Sequence, residues 1–350
     1  ILGSLYISGY AHSLLGFYQL DYIGGDLSFT RNIKLSGFFS PFTNLKRIDG
    51  VLSFDYNYEL SEIHFPNLQY IGGVNFSNND KLSVCQFNNL KTIGEQGMRI
   101  RGNNLLSSFA YSVPVLEEIL GDVELYDTEV RDFTGFENLK LIDGHFTFDL
   151  NWNLFSLNGL NNLEYINGNL IMNNSRSLIG MNMHELQAIN GVLNIGGNRS
   201  ITALNGLENI DPQSISELSI GGNQSLSVCA IKSICDYLAS NRPVTIQGNA
   251  EGCNTVDEVQ DACAFLHTNE QGFMEFYLTN NPVSDFLQIS GHLNGADVKA
   301  SIFNAFGERV FEKDRIREGE RILMAGLPAG SYILQLNNGT TVQAIKFVKH

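Results

Sequence analysis

Carboxylates are the chemically capable side chains that this sequence supplies most freely. It holds 37 Asp and Glu against 22 Lys and Arg in 350 residues, a formal charge of -15. Two carboxylates can cleave a glycosidic bond as acid and base or nucleophile when they stand roughly 5–9.5 Å apart. Glu124 and Asp149 are the pair best placed for this. They fall in adjacent copies of a repeat, two residues out of step, which puts them ~8 Å apart at ~4.8 Å per stacked strand. Asp55 and Asp149 share a repeat position but lie four copies apart, ~19 Å, too far for a pair. Glu124 also belongs to an acidic stretch with Glu117, Glu118, Asp122, Asp127, Glu129 and Asp132, which reads as a solvated face. The seven His residues form no H-E-x-x-H or comparable ligand pair, and neither a G-x-S-x-G elbow nor a phosphate-cradling Gly loop occurs. The sequence is therefore expected to carry no active site, no metal and no cofactor, with a carbohydrate-active enzyme using Glu124 and Asp149 as the alternative.

Cysteine offers a second kind of chemistry. Cys229, Cys235, Cys253 and Cys263 cluster in one segment, while Cys85 stands apart. The intervening lengths do not match the close C-x-x-C knuckles of a zinc site. Two disulfides formed in an oxidising compartment are expected instead, with all three pairings open. Cys85 is expected to be a buried thiol.

The element that positions these groups is a repeat of about twenty-three residues. Leu45–Phe54, Leu139–Phe148 and Leu186–Ile195 share the frame L-x-x-I-x-G-x-L-x-I/F, followed by Asn57, Asn151 or Asn198 and then by Leu or Ile. Further copies start at Leu20, Leu68, Leu90, Leu116, Leu163 and Leu207, that at Leu68 being one residue short. Ile1–Ile7 is the back half of another copy, as expected of a mature or fragmentary sequence. Apolar and polar residues alternate at Leu52, Ser53, Phe54 and Asp55, the period of a strand with one buried face. Gly50, Gly144 and Gly191 each follow Asp or Asn, and the pair is expected to turn the chain through positive φ. One such coil cannot bury its apolar side alone, whereas stacked coils share a core. Asn32, Asn57, Asn103, Asn151, Asn198 and Asn223 recur just after each strand, where an internal amide ladder would satisfy turn backbone groups.

This frame resembles the leucine-rich repeat and, more closely, the receptor L domain, over roughly residues 1–228. The resemblance implies a right-handed β-helical solenoid. Residues 229–269 are expected to form a Cys-rich cap: Ile231, Ile234, Cys235 and Leu238 make a helical stripe, and Val244–Ile246 is strand-like. Stacking should align two outward columns on the strand face. One runs Tyr6, Ser28, Ser53, Asn75, Arg99, Glu124, Thr147, Ile171, Asn194, Ser219. The other runs Ser8, Thr30, Asp55, Ser77, Arg101, Tyr126, Asp149, Asn173, Gly196, Gly221. Tyr58 and Trp152 stand beside them, one place past the Asn ladder. Aromatics next to a polar sheet suit a sugar or protein partner, so Tyr58, Arg99, Arg101, Tyr126, Asp149 and Trp152 are the candidate ligand-binding residues.

Beyond about residue 272 the frame gives way to six short strand-like runs separated by turn signals, as in a small antiparallel β-sandwich. Charge changes there too: residues 1–269 hold 14 basic and 28 acidic side chains, residues 270–350 hold 8 and 9. Four segments carry a second resemblance: Asn281-Pro282-Val-Ser-Asp285, Ile302-Phe-Asn-Ala-Phe-Gly307, Leu327-Pro328-Ala-Gly330-Ser-Tyr332 and Lys346-Phe-Val-Lys349. In this order they resemble the C-terminal sorting domain of the type IX secretion system, although Asn280 replaces the Pro often found in its opening. The resemblance implies recognition by the outer-membrane export machinery, cleavage of the tail, and a cargo secreted from or held at the outer-membrane surface of a Gram-negative bacterium. The fold class expected is thus all-β dominated: solenoid, helical cap, sandwich. Lys and Arg form no basic stripe, which disfavours nucleic acid as a partner. No run of eighteen apolar residues offers a transmembrane segment. The expected partners are the secretion machinery and an extracellular protein or glycan.

Overall fold

Leu, Ile and Phe recur at fixed places in every copy, and the computed structural model stacks those places into columns. It describes residues 1–9, 16–36, 41–110, 112–269, 276–278, 283, 285–291, 298–304, 308–317, 319–337 and 342–349, in two compact units, Ile1–Cys263 and Ala264–His350. The first unit is a β-solenoid. Among the described residues eleven parallel strands line one face, from Leu5–Ser8 to Val244–Gln247. One inward column runs through all eleven: Leu5 aligns with Leu27, Leu52, Val74, Met98, Val123, Phe146, Leu170, Leu193, Leu218 and Val244. A second ladder joins Tyr22–Ile23 to Ala188–Ile189 through the intervening coils, its isoleucines all buried. Aromatic rings stack inside along the same axis, Phe29 on Phe54 at 4.6 Å and Phe65 on Phe87 at 5.7 Å.

The short copy is absorbed locally. Asp49 and Gly50 of one coil face only Gly72 of the next, so the register shifts there and recovers by Gly73. The copy assigned to Leu207 is displaced by three residues. Asp211 N–H bonds Gln187 O as Gln187 N–H bonds Glu164 O, which places Ile210 in the Leu186 column. The extra residues of that coil form a 3-10 turn, Pro212–Ser214.

The repeat glycines have a different cause from the one expected. Gly50, Gly144 and Gly191 do not have positive φ. They are required because a Cβ would meet the preceding coil: 2.6 Å from Gly25 C, 2.6 Å from Gly121 C and 2.5 Å from Asn169 Oδ1, respectively. The left-handed residue lies at the other end of the strand, at Arg31, Tyr56, Asn78, Gly102, Asp127, Leu150, Asn174, Gly197, Gly222 and Gly248. Each directs the chain into the turn that the Asn column holds.

That column is an internal ladder, longer than expected because Asn79 and Asn249 belong to it. Asn57 Oδ1 accepts from Asn32 N–H at 3.0 Å, Asn79 Oδ1 from Asn57 N–H, and Asn103 Oδ1 from Asn79 N–H. Each Nδ2 also donates backwards, as from Asn57 to Phe29 O at 2.9 Å. Thr128 and Ser175 take the place of Asn in two coils, and both donate forward, to Asn151 and Asn198. Among the described residues no bond of this kind links Asn103 to Thr128 or Asn151 to Ser175, so the ladder has three runs. A second, exposed ladder was not foreseen: Asn44, Asn67, Asn89, Asn138, Asn162 and Asn209 each donate Nδ2 to a carbonyl one coil back, at 2.6–2.8 Å.

The Cys-rich segment closes the stack. Helix α1 (Lys232–Leu238) buries Ile234, Cys235 and Tyr237, and Val244–Gln247 then adds the last strand, so the solenoid continues past residue 228. Two disulfides, Cys229–Cys253 and Cys235–Cys263, resolve the pairing, and no metal-binding cluster occurs among the described residues. Cys85 is free and buried, and burial pushes its thiol pKa up.

In the second unit, a three-stranded antiparallel sheet orders Phe276–Leu278, Phe286–Gly291 and Arg321–Leu323. A four-stranded one orders Arg309–Lys313, Lys299–Asn304, Gly330–Asn337 and Val342–Lys349. Leu287 and Ile289 from the first sheet share a buried cluster with Ile302, Leu334 and Phe347 from the second. No helix among the described residues is long and apolar enough to cross a membrane.

Candidate functional site

Inward Leu, Ile and Phe fix which side chains each strand turns outward, so the two outward columns follow from the register. The structure aligns them as the sequence implies: Tyr6, Ser28, Ser53, Asn75, Arg99, Glu124, Thr147 in one and Ser8, Thr30, Asp55, Ser77, Arg101, Tyr126, Asp149 in the other. Small residues at one coil between large ones at its neighbours leave a gap. Asn75, Ser77 and Asn78 form the floor of a cleft of about 460 Å³, with Asp55 and Tyr56 on one side and Arg99, Arg101, Gly102, Tyr126 and Asp127 on the other.

The polar groups of this cleft are organised. Glu124 draws both arginines together: Arg99 Nε lies 2.7 Å from its Oε2 and Arg101 Nε 3.4 Å from its Oε1. Arg101 also sits 5.0 Å from the centroid of the Tyr126 ring. Across the floor, burial raises the Asp55 carboxyl above its ordinary value, against a hydrogen bond from Asn78 and the charge of Arg31, which lower it. Ser77 Oγ donates to Asn75 Oδ1 at 3.0 Å.

Of the six residues anticipated from the sequence, Arg99, Arg101 and Tyr126 line this cleft. Tyr58 abuts it indirectly, its ring edge-on to Tyr56 at 6.1 Å. Asp149 pairs with Tyr126 one coil further on and accepts a hydrogen bond from Asn174 Nδ2 at 2.8 Å. Trp152 is 51% exposed and lies four coils from Tyr58, against Arg176 at 4.9 Å. The set is therefore a cleft with a satellite aromatic, not one cluster. Asp55, Tyr56, Asn75, Ser77, Asn78, Gly102 and Asp127 complete the lining, and the sequence signal for them was the drop in side-chain size at Asn75 and Ser77. Glu124 and Asp149 do occupy adjacent strands, two residues out of step. With a guanidinium on each oxygen, Glu124 is arranged as an ion-pair partner, not as a free general acid. The acidic stretch around it is structural in part: Asp122 Oδ1 accepts from His145 N–H at 2.8 Å, and Glu118 accepts from Thr92 Oγ1.

In the tail, Asn281, Pro282 and Gly307 lie outside the described residues. Gly330 opens a strand, and Tyr332 stacks on Phe347 at 5.6 Å while donating its hydroxyl to Pro328 O at 2.7 Å. Lys346 and Lys349 are on the last strand. Residues 280–350 match the family described as the secretion system C-terminal sorting domain. That domain marks the chain as a type IX-secreted protein whose tail engages the type IX machinery. Such proteins are secreted or cell-surface proteins of Bacteroidetes-type bacteria. No curated protein matches the chain.

Proposed function

We propose that the chain is an exported binding or adhesion protein. Its solenoid, of the leucine-rich-repeat and receptor L kind, engages an extracellular protein or glycan through the exposed strand face, either released from the cell or held at the outer-membrane surface. The observation that carries this reading is the cleft, where two arginines, two tyrosines and an acceptor wall converge over a floor of small polar residues. Its volume falls in the range of small-ligand sites, and its lining is polar apart from two tyrosines and a glycine, which suits a hydroxyl-rich or charged ligand over an apolar one. Tyr58 and Trp152 extend the contact surface along the turn column, where exposed rings can stack on a partner. Substituting Tyr58 and Trp152 by Ser, and separately Arg99 and Arg101 by Gln, should weaken adhesion to cells or immobilised glycans without lowering the melting temperature. Unchanged adhesion in both sets would place the binding site elsewhere. A glycan-cleavage screen with the purified chain tests the second reading, hydrolysis by Glu124 and Asp149. Turnover abolished by Glu124→Gln would establish it.

A further inference from the structure

We propose that the cleft takes a carboxylate-bearing saccharide unit, a hexuronate within an acidic glycan, with Arg99 and Arg101 holding the carboxylate and Asp55 receiving hydroxyl groups on the opposite side. This inference rests on the binding role proposed above and names the ligand class for that site.

The arginines carry the first part of the argument. Both use Nε on the same carboxylate, Glu124, and among the described residues no protein group is bonded to their terminal amines. Their side chains are 57% and 46% exposed. One anion thus orients two guanidinium groups and satisfies only half of their combined charge. Terminal guanidinium nitrogens match the two oxygens of a carboxylate, which is why Arg dominates planar anion recognition.

The remaining walls decide which anion. Asp55 and Asp127 face into the same cleft. A chain carrying doubly charged phosphates or several sulfates per unit would meet stronger repulsion there than one with a single carboxylate per sugar, in a solenoid that is itself acidic. A neutral sugar would leave the guanidinium charge unanswered. A hexuronate presents a carboxylate at one end of the ring and donor hydroxyls at the other, the same order in which Arg99 and Arg101, then Asn75, Ser77 and Asn78, then Asp55 cross the cleft. Tyr56 and Tyr126 supply ring edges for the C–H faces of the sugar. The volume of about 460 Å³ accommodates one or two sugar units.

The test is calorimetric titration of the full chain with trigalacturonate, its methyl ester and a glutamate-rich peptide. Trigalacturonate should bind, more weakly as salt rises. Methyl esterification, Arg99→Gln and Arg101→Gln should each weaken it roughly tenfold or more, as expected when a charge-assisted contact is lost. Lys140→Gln, on the far ladder, should leave binding unchanged. The proposal is overturned if the ester binds as tightly as the acid, if the arginine variants bind normally, or if the peptide binds and the uronate does not. Adhesion that still depends on Arg101 while no uronate binds would remove this ligand class and leave the binding role standing.

Discussion

Replacing Asn198 by Ala tests the idea that the amide ladder, and not apolar packing alone, holds the turns. Asn198 is fully buried. Its Oδ1 accepts from Ser175 N–H at 2.9 Å, and its Nδ2 donates to Met172 O at 2.8 Å. Alanine leaves both backbone groups without a partner inside the stack. Each buried orphan costs about 1–3 kcal/mol, so the substitution should cost about 4 kcal/mol. Asn162→Ala removes a hydrogen bond of similar length, to Glu137 O at 2.7 Å, from an exposed site where water can replace it, and should cost under ~1 kcal/mol. Urea titration of the three proteins reads the difference as a shift in midpoint at a shared slope. Asn198→Leu distinguishes polar loss from cavity formation, because it fills the space and still orphans both groups. If Asn198→Leu matches the unmodified protein, or Asn198→Ala costs no more than Asn162→Ala, the reasoning fails.

Leu150 holds φ 57° in a column where Asn78 and Asn174 do the same. Leu150→Asn should therefore stabilise by about 0.5–1 kcal/mol, and a fall in melting temperature would contradict this. The Asp55 carboxyl is raised in the folded state, so its contribution to stability is fully present below its unfolded pKa and is lost as pH rises through the folded one. Asp55→Asn should consequently raise the melting temperature at pH 7, with the gain vanishing below about pH 4, while weakening ligand binding; a gain that persists in acid would point to packing instead. Removing the Cys235–Cys263 bridge, which spans 28 residues, by a double Ser substitution should cost about 3–4 kcal/mol. Equal denaturant midpoints for the double variant and the oxidised protein would refute a stabilising role. Fusing residues from about 272 onward to a periplasmic reporter should send it out of a host with a type IX system, and a reporter retained in the periplasm would show that the tail is insufficient.

The stack and its register were legible because a period-two strand pattern leaves each outward residue no freedom once Leu52, Phe54 and their equivalents are placed inside. The reason for the repeat glycines was not, since Asp-Gly is the signature of a positive-φ turn and also of a close backbone approach. Only the coil beneath Gly50 separates the two. The true left-handed position was hidden by Arg31, Tyr56 and Leu150, residue types that do not advertise it. Asn79 was obscured by its neighbour Asn78 in the coil with a deletion, and Asn249 by lying beyond the segment read as solenoid. Arg99, Arg101 and Tyr126 were identified from chemistry and column, but the cleft needed three-dimensional volumes, because it exists only where small side chains lie between large ones. The disulfide pairing depends on how α1 folds back over the last coil, which no spacing encodes.

The two gaps in the amide ladder have a mechanical consequence. Tension applied along the stack loads the joints between coils in series, so the joint with the fewest bonds yields first. The steps from Asn103 to Thr128 and from Asn151 to Ser175 lack the rung present elsewhere, which divides the ladder into three blocks and leaves those two joints to other bonds, such as that from Asn174 Nδ2 to Asp149 across the second. The final block is riveted by Cys229–Cys253 and Cys235–Cys263. The first gap passes through the cleft, with Arg101 and Gly102 on one side and Tyr126 and Asp127 on the other, and there the ion pairs of Glu124 with Arg99 and Arg101 bridge the joint on the outer face instead. Load on that joint therefore falls on ion pairs that salt screens, so the force needed to part it should drop as ionic strength rises, while joints closed by the buried amide rungs should change little.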